Sequence, residues 1–494
     1  MLRLWELNIT LNQDSGVAVY MQIVQKIIEE IKIGRLKPST AMPSTRDLAA
    51  NQKVNRKTVI LAYEELVAQG WLTSENRRGT FVSANLPKFT LLEHLPNHHF
   101  EHHLASSSSL YTQKSAHLNA QALSSNVIDF NDGIPDARLI PFEVLSRAFR
   151  HALVGTSRVN CLGYDSPRGM LQLRKSIVTM LNMERGLHVD IENVCIVRGS
   201  QMGIFLAARV LIRPNDVVVV ENLTYPPARD ALRSCGATVL SVGLDEHGIN
   251  VDELESLCKQ QSIRAIYVTP HHQFPTTVMM TAERRLKLLM LAEQYDFVII
   301  EDDYDHEFHF EHHPALPLAS TDTSGRVVYV GSMSKVLAPG LRIGYIVAPT
   351  AFIDRCATEV MLIDRQGNSV TELVVAELID SGEVKRHIRR TFKIYDERRN
   401  LLERLIRSKL SLDVDFNMPP GGLAFWIRFN QAVNLDVLVE RARHEKVNIL
   451  SGSLFTDDYS QIQAIRMGFG SLNNTELAQG VDRLKQALDW CVSQ

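Results

Sequence analysis

At 494 residues, 45% hydrophobic and 22% charged, the chain has an ordinary globular makeup and the length of about three domains, which excludes a disordered or fibrous protein. Its 53 basic and 56 acidic residues leave a net charge of −3, so no chain-wide basic excess marks a nucleic-acid coat, and any DNA binding has to be local. The most apolar stretch, Met202–Ile212, is too short to cross a bilayer, Met1–Asn12 lacks an apolar signal core, and six scattered cysteines without a C-x-x-C point to reduced thiols in the cytoplasm.

Residues 1–84 read as one compact unit. Tyr20, Ile23, Val24, Ile27, Ile28 and Ile31 fall on one face of a helix that Gly34 and Pro38 end. Ser44-Thr45-Arg46-Asp47 has the spacing of a capping box and opens a second, short helix through Ala50. After a break at Gln52–Val54, Asn55 caps a third helix whose Val59, Ala62, Tyr63 and Leu66 face inward. Gly70 stops that helix, and Trp71–Ser74 with Thr80–Ser83 predict a hairpin tipped by Asn76-Arg77-Arg78-Gly79.

Residues 85–126 hold a four-serine run and six histidines without periodicity, the composition of a flexible linker. From 127 to 494, seven β-branched runs alternate with helical stretches: Val194–Val197, Val217–Val220, Thr238–Val242, Ala265–Val268, Phe297–Ile300, Val327–Val330 and Ile343–Val347. That alternation predicts an α/β fold with a mostly parallel seven-stranded sheet. A long charged helix from about Glu383 leads to a smaller α/β lobe.

Two short helices with a tight break, then a basic-tipped hairpin, outline a winged helix-turn-helix. Asn55, Arg56, Lys57 and Thr58 open the helix that would reach base edges, with Arg46 beside them and Arg77 and Arg78 suited to phosphate or minor-groove contact. On charge alone, a small protein-interaction module fits equally well. The stretches Pro43–Ala49, Asn55–Val59, Gly70-Trp71-Leu72 and Arg78-Gly79-Thr80-Phe81-Val82 closely resemble the GntR-type DNA-binding domain, which implies binding to double-stranded operator DNA.

Lys335 follows the sixth run, in Ser332-Met333-Ser334-Lys335, and Arg342 stands seven residues on. A lysine there can form a Schiff base with an aldehyde cofactor, and an arginine can hold its phosphate. In open α/β sheets ligands bind beyond the carboxyl ends of strands, where this chain sets its polar residues. Ser200 and Gln201 open a helix whose dipole attracts phosphate. Asp302 can keep a pyridine nitrogen protonated, Tyr225 can stack on the ring, Tyr304 can hydrogen-bond it, and His272 with Gln273 follows the fourth run.

These stretches resemble the fold-type-I, pyridoxal 5′-phosphate-dependent aminotransferases over residues 127–494. The joined architecture resembles the MocR/GabR family of bacterial transcription regulators, through Glu301-Asp302-Asp303-Tyr304, Thr269–Pro275, Gly331–Lys335 and Ile465-Arg466-Met467-Gly468-Phe469. The resemblance implies pyridoxal phosphate bonded to Lys335, with Asp302 on the pyridine nitrogen and Tyr304 near the ring oxygen. It puts Ser200, Gln201, Ser332 and Arg342 on the phosphate, and Tyr164 at the cofactor of the partner subunit in a homodimer. It also implies Arg466 on the carboxylate of a small-molecule amine. The family usually has a small residue where His271 stands and a glycine where Thr277 stands.

No metal is expected. His98, His99, His102 and His103 lie in the linker, His306-Glu307-Phe308-His309 is one residue short of a zinc-protease motif, and His309, Glu311 and His313, alternating with Phe308, Phe310 and His312, read as an exposed strand or loop. The expected function is a regulator sensing pyridoxal phosphate or an amine joined to it. The competing reading is an active aminotransferase with a DNA-binding appendage.

Overall fold

The computed structural model describes residues 11–12, 16–75, 78–86, 126–159, 163–310, 315–333, 335–410, 413–457 and 462–492. Nearly all of the expected linker, with its histidines, and Arg77 at the hairpin tip lie outside these residues. The chain divides into two compact units, Met1–Ala120 and Gln121–Gln494. No helix among the described residues is long and apolar enough to cross a membrane.

In the first unit, α1 (Val19–Lys32) buries Ile23, Val24, Ile27 and Ile31, the four strongest positions of the apolar stripe. Ser44 caps α2 (Thr45–Asn51) by accepting the Asp47 N–H at 3.2 Å. The turn into α3 (Arg56–Ala68) has Lys53 at φ +52° in place of the usual glycine. Asn55 Oδ1 accepts the Lys57 N–H at 2.9 Å, and Val59, Ala62, Tyr63 and Leu66 are buried. The wing pairs β1 (Leu72–Glu75) with β2 (Gly79–Val82), Leu72 opposite Val82. Each strand sits one residue nearer the tip than the sequence predicts, because the Trp71 N–H is spent on Leu66 O in closing α3.

The second unit is built on seven strands: β3 (Val194–Val197), β4 (Val217–Glu221), β5 (Thr238–Val242), β6 (Ala265–Val268), β7 (Val298–Asp303), β8 (Val327–Ser332) and β9 (Gly344–Val347). Their order across the sheet is β3-β9-β8-β7-β6-β4-β5, and all neighbours are parallel except β9, which runs antiparallel to both β8 and β3. Residues along the strands other than β5 alternate between two apolar layers, so the sheet is buried on both faces except along that edge strand, where Thr238 and Ser241 are exposed.

β7 and β8 run further than the apolar runs that predict them. The acidic tail of β7 stays in register, Asp302 opposite Val330 and Asp303 opposite Gly331, because each carboxylate finds a donor. Glu301 accepts from the Leu318 and Ala319 N–H groups, Asp302 from Tyr267, and Asp303 from Tyr329. Asp302 and Ser332 therefore sit on strand ends and not in the following loops.

The smaller lobe follows the 27-residue helix Glu383–Lys409. Its sheet centres on β10 (Ala424–Phe429) paired antiparallel to β11 (Ala464–Gly468), with Trp426 opposite Arg466. The long helix and the terminal helix Asn474–Val492 share one apolar core with this sheet.

Candidate cofactor-binding site

A cavity of about 160 Å³ lies beyond the carboxyl ends of β3, β6, β7 and β8. Eight residues singled out in the sequence line it together: Ser200, Gln201, Tyr225, Asp302, Tyr304, Ser332, Lys335 and Arg342. Asp132, Tyr267 and Phe274 complete the wall, and sequence reasoning missed all three. Tyr267 did leave a trace. A phenol inside the apolar run Ala265–Val268 needs a buried partner, and the only way to supply one is from a neighbouring strand.

One end of the cavity suits an anion. Helix α4 (Gly199–Leu211) starts there, with its first N–H groups and positive dipole end facing the space beside Ser200 and Gln201. Gly199 has φ +78°, and a Cβ on it would come within 2.7 Å of Arg342 Nη2. Only glycine lets the guanidinium lie against the turn. Arg342 is itself left-handed (φ +53°), and its Nη2 donates to Arg198 O at 3.1 Å. Gln201 donates to Pro227 O at 3.0 Å, leaving its buried Oε1 without a partner.

The other end suits a cationic ring. Tyr267 donates to Asp302 Oδ2 at 2.8 Å, while Asp302 Oδ1 is buried and unpaired. Burial pushes the Asp302 carboxyl up to about 7, the direction that an opposite charge in the cavity would reverse. Burial pulls the Lys335 amine below its ordinary value, against the pull of Asp305 and Asp132, which favours the neutral, nucleophilic form. Its Nζ lies 4.4 Å from the centre of the Tyr304 ring. Tyr225 and Phe274 meet edge to face at 5.2 Å and form an aromatic wall.

Arg466 enters from β11. It is 1% exposed, lies over the Phe274 ring at 4.4 Å, and donates to the Asp132 and Pro275 carbonyl oxygens. Thr277 takes φ +64° where the resemblance calls for glycine.

One expected cofactor contact lies elsewhere. His272 does not line the cavity: its Nδ1 meets Asp305 Oδ1 at 2.8 Å, and only its carbonyl faces the site, accepting from Tyr304 at 2.9 Å. Tyr164 is 82% exposed, against Arg365. The segment around His306 and His309 is not the exposed strand or loop of the sequence reading. His306 is buried, Phe308 is 1% exposed, and His309 packs against His271 and His272. Burial keeps His271 well below the usual histidine value and His309 down to about 3. Glu311, His312 and His313 lie outside the described residues.

On the first unit, Arg46, Asn55, Arg56, Lys57 and Arg78 are exposed and Thr58 is half-buried. Arg56 Nε donates to Thr45 Oγ1 at 3.3 Å, joining the starts of α2 and α3. Arg78 pairs with Glu75 at 2.7 Å across the wing turn.

The cavity residues fit pyridoxal phosphate. The unpaired Asp302 Oδ1 awaits a donor, the glycine-lined turn at α4 leaves room for phosphate, and Lys335 stands between them.

A winged helix-turn-helix followed by a fold-type-I aminotransferase-like domain defines a class of regulator in which an enzyme fold serves the DNA-binding unit. Residues 123–484 match the family described as aminotransferase class I and II, and residues 19–82 match the bacterial regulatory proteins of the gntR family. The chain is 30% identical to the "Probable rhizopine catabolism regulatory protein MocR" of Rhizobium meliloti, over 97% of this chain and 95% of that protein. It is 33% identical to the HTH-type transcriptional regulator TauR of Rhodobacter capsulatus, over 94% and 95% respectively. Among solved structures, the α-aminoadipate aminotransferase LysN of Thermus thermophilus, complexed with N-(5'-phosphopyridoxyl)-L-leucine, superposes with a TM-score of 0.70 at 26% identity, covering 75% of this chain and 94% of that one. The chain belongs to the MocR/GabR family of helix-turn-helix transcription regulators.

Proposed function

We propose that this regulator binds pyridoxal 5′-phosphate in the cavity around Lys335 and changes its grip on operator DNA when an amine reacts there. The observation that carries this reading is the meeting of Lys335, the unpaired Asp302 carboxylate and the α4 N-terminus with Arg342 in one cavity. Bound there, pyridoxal phosphate supplies an aldehyde that condenses with amines and a ring that draws off electrons.

Each residue has a task of its own. Lys335 is the covalent anchor, and Asp302, oriented by Tyr267, holds the ring nitrogen's proton. Ser200, Gln201, Ser332 and Arg342 bind the phosphate, and Tyr225 stacks on the ring. Arg466 takes an effector carboxylate as a bidentate pair once the Asp132 and Pro275 carbonyls release it. The protein acts in the cytoplasm as a homodimer, with the exposed Tyr164 reaching the partner's cavity. Arg46, Asn55, Arg56, Lys57, Thr58 and the wing arginines Arg77 and Arg78 contact the double-stranded operator. The domain plan is a reader over 1–84, a linker over 85–126 and a sensor over 127–494.

The test is DNA affinity of the cofactor-free, cofactor-loaded and amine-loaded protein, with keto-acid release followed in parallel. Coupling between sites is typically worth about 5- to 150-fold. A shift in affinity only on amine loading, lost in Arg466→Ala, supports an amine sensor. A shift with pyridoxal phosphate alone, intact in Arg466→Ala, makes the cofactor itself the signal. The same residue set would also support transamination, so rapid multiple turnover with DNA affinity indifferent to all three states would make the protein an aminotransferase and overturn the proposal.

A further inference from the structure

Behind the cavity, on the far side of the β6 and β7 ends, four histidines and two aspartates pack together without any part in the proposed cofactor chemistry. His271, His272 and His306 are buried, and His309 is partly so. His271 and His309 bring their Nε2 atoms to 2.6 Å, a separation at which two imidazoles share one proton or approach one metal ion. His272 turns its Nδ1 to Asp305 at 2.8 Å and is left with a buried Nε2 that has no partner. A carboxylate that fixes the far nitrogen of a histidine and leaves the near one bare is the usual support of a metal-bound imidazole. The ring nitrogens that His271, His272 and His309 offer all lie within 4.8 Å of one another. Asp305 Oδ2 adds an unpaired buried acceptor beside them, a charge that a cation would offset, whereas Asp303 is already met by Arg185 and Tyr329.

We propose that His271, His272 and His309 form a binding site for a divalent first-row transition metal of the zinc type, with Asp305 orienting His272 and the fourth coordination position open. Three imidazoles select zinc, cobalt or nickel over magnesium and calcium, which take oxygen ligands. Tetrahedral bonds of about 2.0–2.1 Å set neighbouring ligand atoms about 3.3 Å apart, so the two facing nitrogens have to part by about 0.7 Å as the side chains turn.

The site has a mechanical meaning. His309 bridges to Gly421, and Phe310 and Gly422 complete that pairing through Pro420 O and Phe308 O, just ahead of β10 in the smaller lobe. Tyr304, in the cavity wall, donates to the His272 carbonyl. A metal here therefore fastens the ends of β6 and β7 beside the entry to the smaller lobe, which carries Arg466.

The test uses the full chain with His98, His99, His102 and His103 changed to alanine, so that the histidine-rich segment does not compete. After chelation and dialysis the protein is titrated with Co²⁺, followed by visible ligand-field bands, metal content and thermal melting, then competed with Zn²⁺. The expected result is one Co²⁺ per chain, displaced by Zn²⁺, with melting raised as binding to the folded state requires. His271→Ala/His309→Ala should weaken binding by more than about 100-fold, beyond the 10- to 100-fold that loss of a supporting partner costs. The exposed His247→Ala should leave it unchanged. If the double variant does not fold, His309→Gln alone carries the comparison. Retention of no Co²⁺, or equal affinity in the variant and its background, would overturn the site and leave a hydrogen-bonded histidine cluster. Pyridoxal phosphate absorbance at Lys335, recorded in the same samples, reports the neighbouring cavity separately from the metal.

Discussion

Tyr267 and Asp302 meet diagonally on the neighbouring strands β6 and β7, Tyr267 standing opposite Ile300, and the phenol donates to one carboxylate oxygen at 2.8 Å while the other is buried without a partner. The arrangement fixes the carboxylate and leaves one oxygen that could accept from the ring nitrogen of a bound pyridoxal phosphate. Tyr267→Phe keeps the ring and removes the donor. Since a hydrogen bond to a charged group is worth about 1.5–3 kcal/mol, pyridoxal phosphate affinity should fall by roughly 10- to 100-fold in a fluorescence titration. Unchanged affinity would remove Tyr267 from the site.

The same carboxylate sets a pH dependence. Burial pushes Glu221, Glu301 and Asp302 each up to about 7. A carboxyl whose folded value lies above its unfolded value of about 4 adds stability below that point and withdraws it as pH climbs toward the folded value. These three carboxyls should thus withdraw stability between about pH 4 and pH 7, against the buried His271 and His309, which add it as pH rises over the same range. Asp302→Asn should remove its share of that slope, up to about 4 kcal/mol, while abolishing tight cofactor binding. Urea unfolding across the pH range measures the first effect and absorbance the second.

Gly199 is where one methyl group should disturb the anion-binding end of the cavity. Alanine there meets Arg342 Nη2 at 2.7 Å and has to hold φ +78°, a strain of about 1–2 kcal/mol. Gly199→Ala should weaken pyridoxal phosphate binding at least tenfold, and inorganic phosphate should compete less well for the variant than for the parent.

Thr277 gives the opposite case. A β-branched residue at φ +64° is strained, so Thr277→Gly should stabilise the protein by about 0.5–1 kcal/mol in thermal melting despite the flexibility glycine adds to the unfolded chain. A loss of stability would mean that contacts of the threonine outweigh the backbone strain.

In the DNA-reading unit, two neighbouring substitutions should separate stability from recognition. Asn55→Ala removes the cap on α3 and should cost about 0.5–2 kcal/mol of stability. Arg56→Ala leaves the cap intact and should cost about 1–3 kcal/mol of operator affinity, with relaxed sequence preference in gel-shift titrations. Equal binding by Arg56→Ala would place recognition elsewhere on the helix.

The large sheet was legible because each of its seven strands is a β-branched run, and burial on both faces leaves no polar alternation to confuse it. Polar residues at strand ends stood out against those runs, which is why eight of the cavity-lining residues were visible before any geometry. Tyr267 was hidden inside its run, and Asp132 lies outside every motif. The histidine cluster was invisible for another reason. His271 and His309 are 38 residues apart and meet only because β6 and β7 are neighbours. Read locally, the alternation from His306 onward suggested a surface, whereas tertiary packing buries it. The wing strands kept the expected pairing but moved one residue toward the tip, since a backbone bond from Trp71, which no side-chain pattern reports, closes the preceding helix.

Strand β9 runs against its neighbours, and this orders events on the ribosome. Because the reversal returns Arg342 to the α4 turn, the phosphate end of the cavity is assembled from segments 143 residues apart in the chain, at Gly199 and Arg342. Arg466 emerges later still. The N-terminal unit, whose gntR-family match ends at residue 82, is translated first and can fold while most of the second unit is unmade, as N-terminal domains generally do. A nascent or prematurely terminated chain thus carries its helix-turn-helix without the cavity that only the rest of the chain builds.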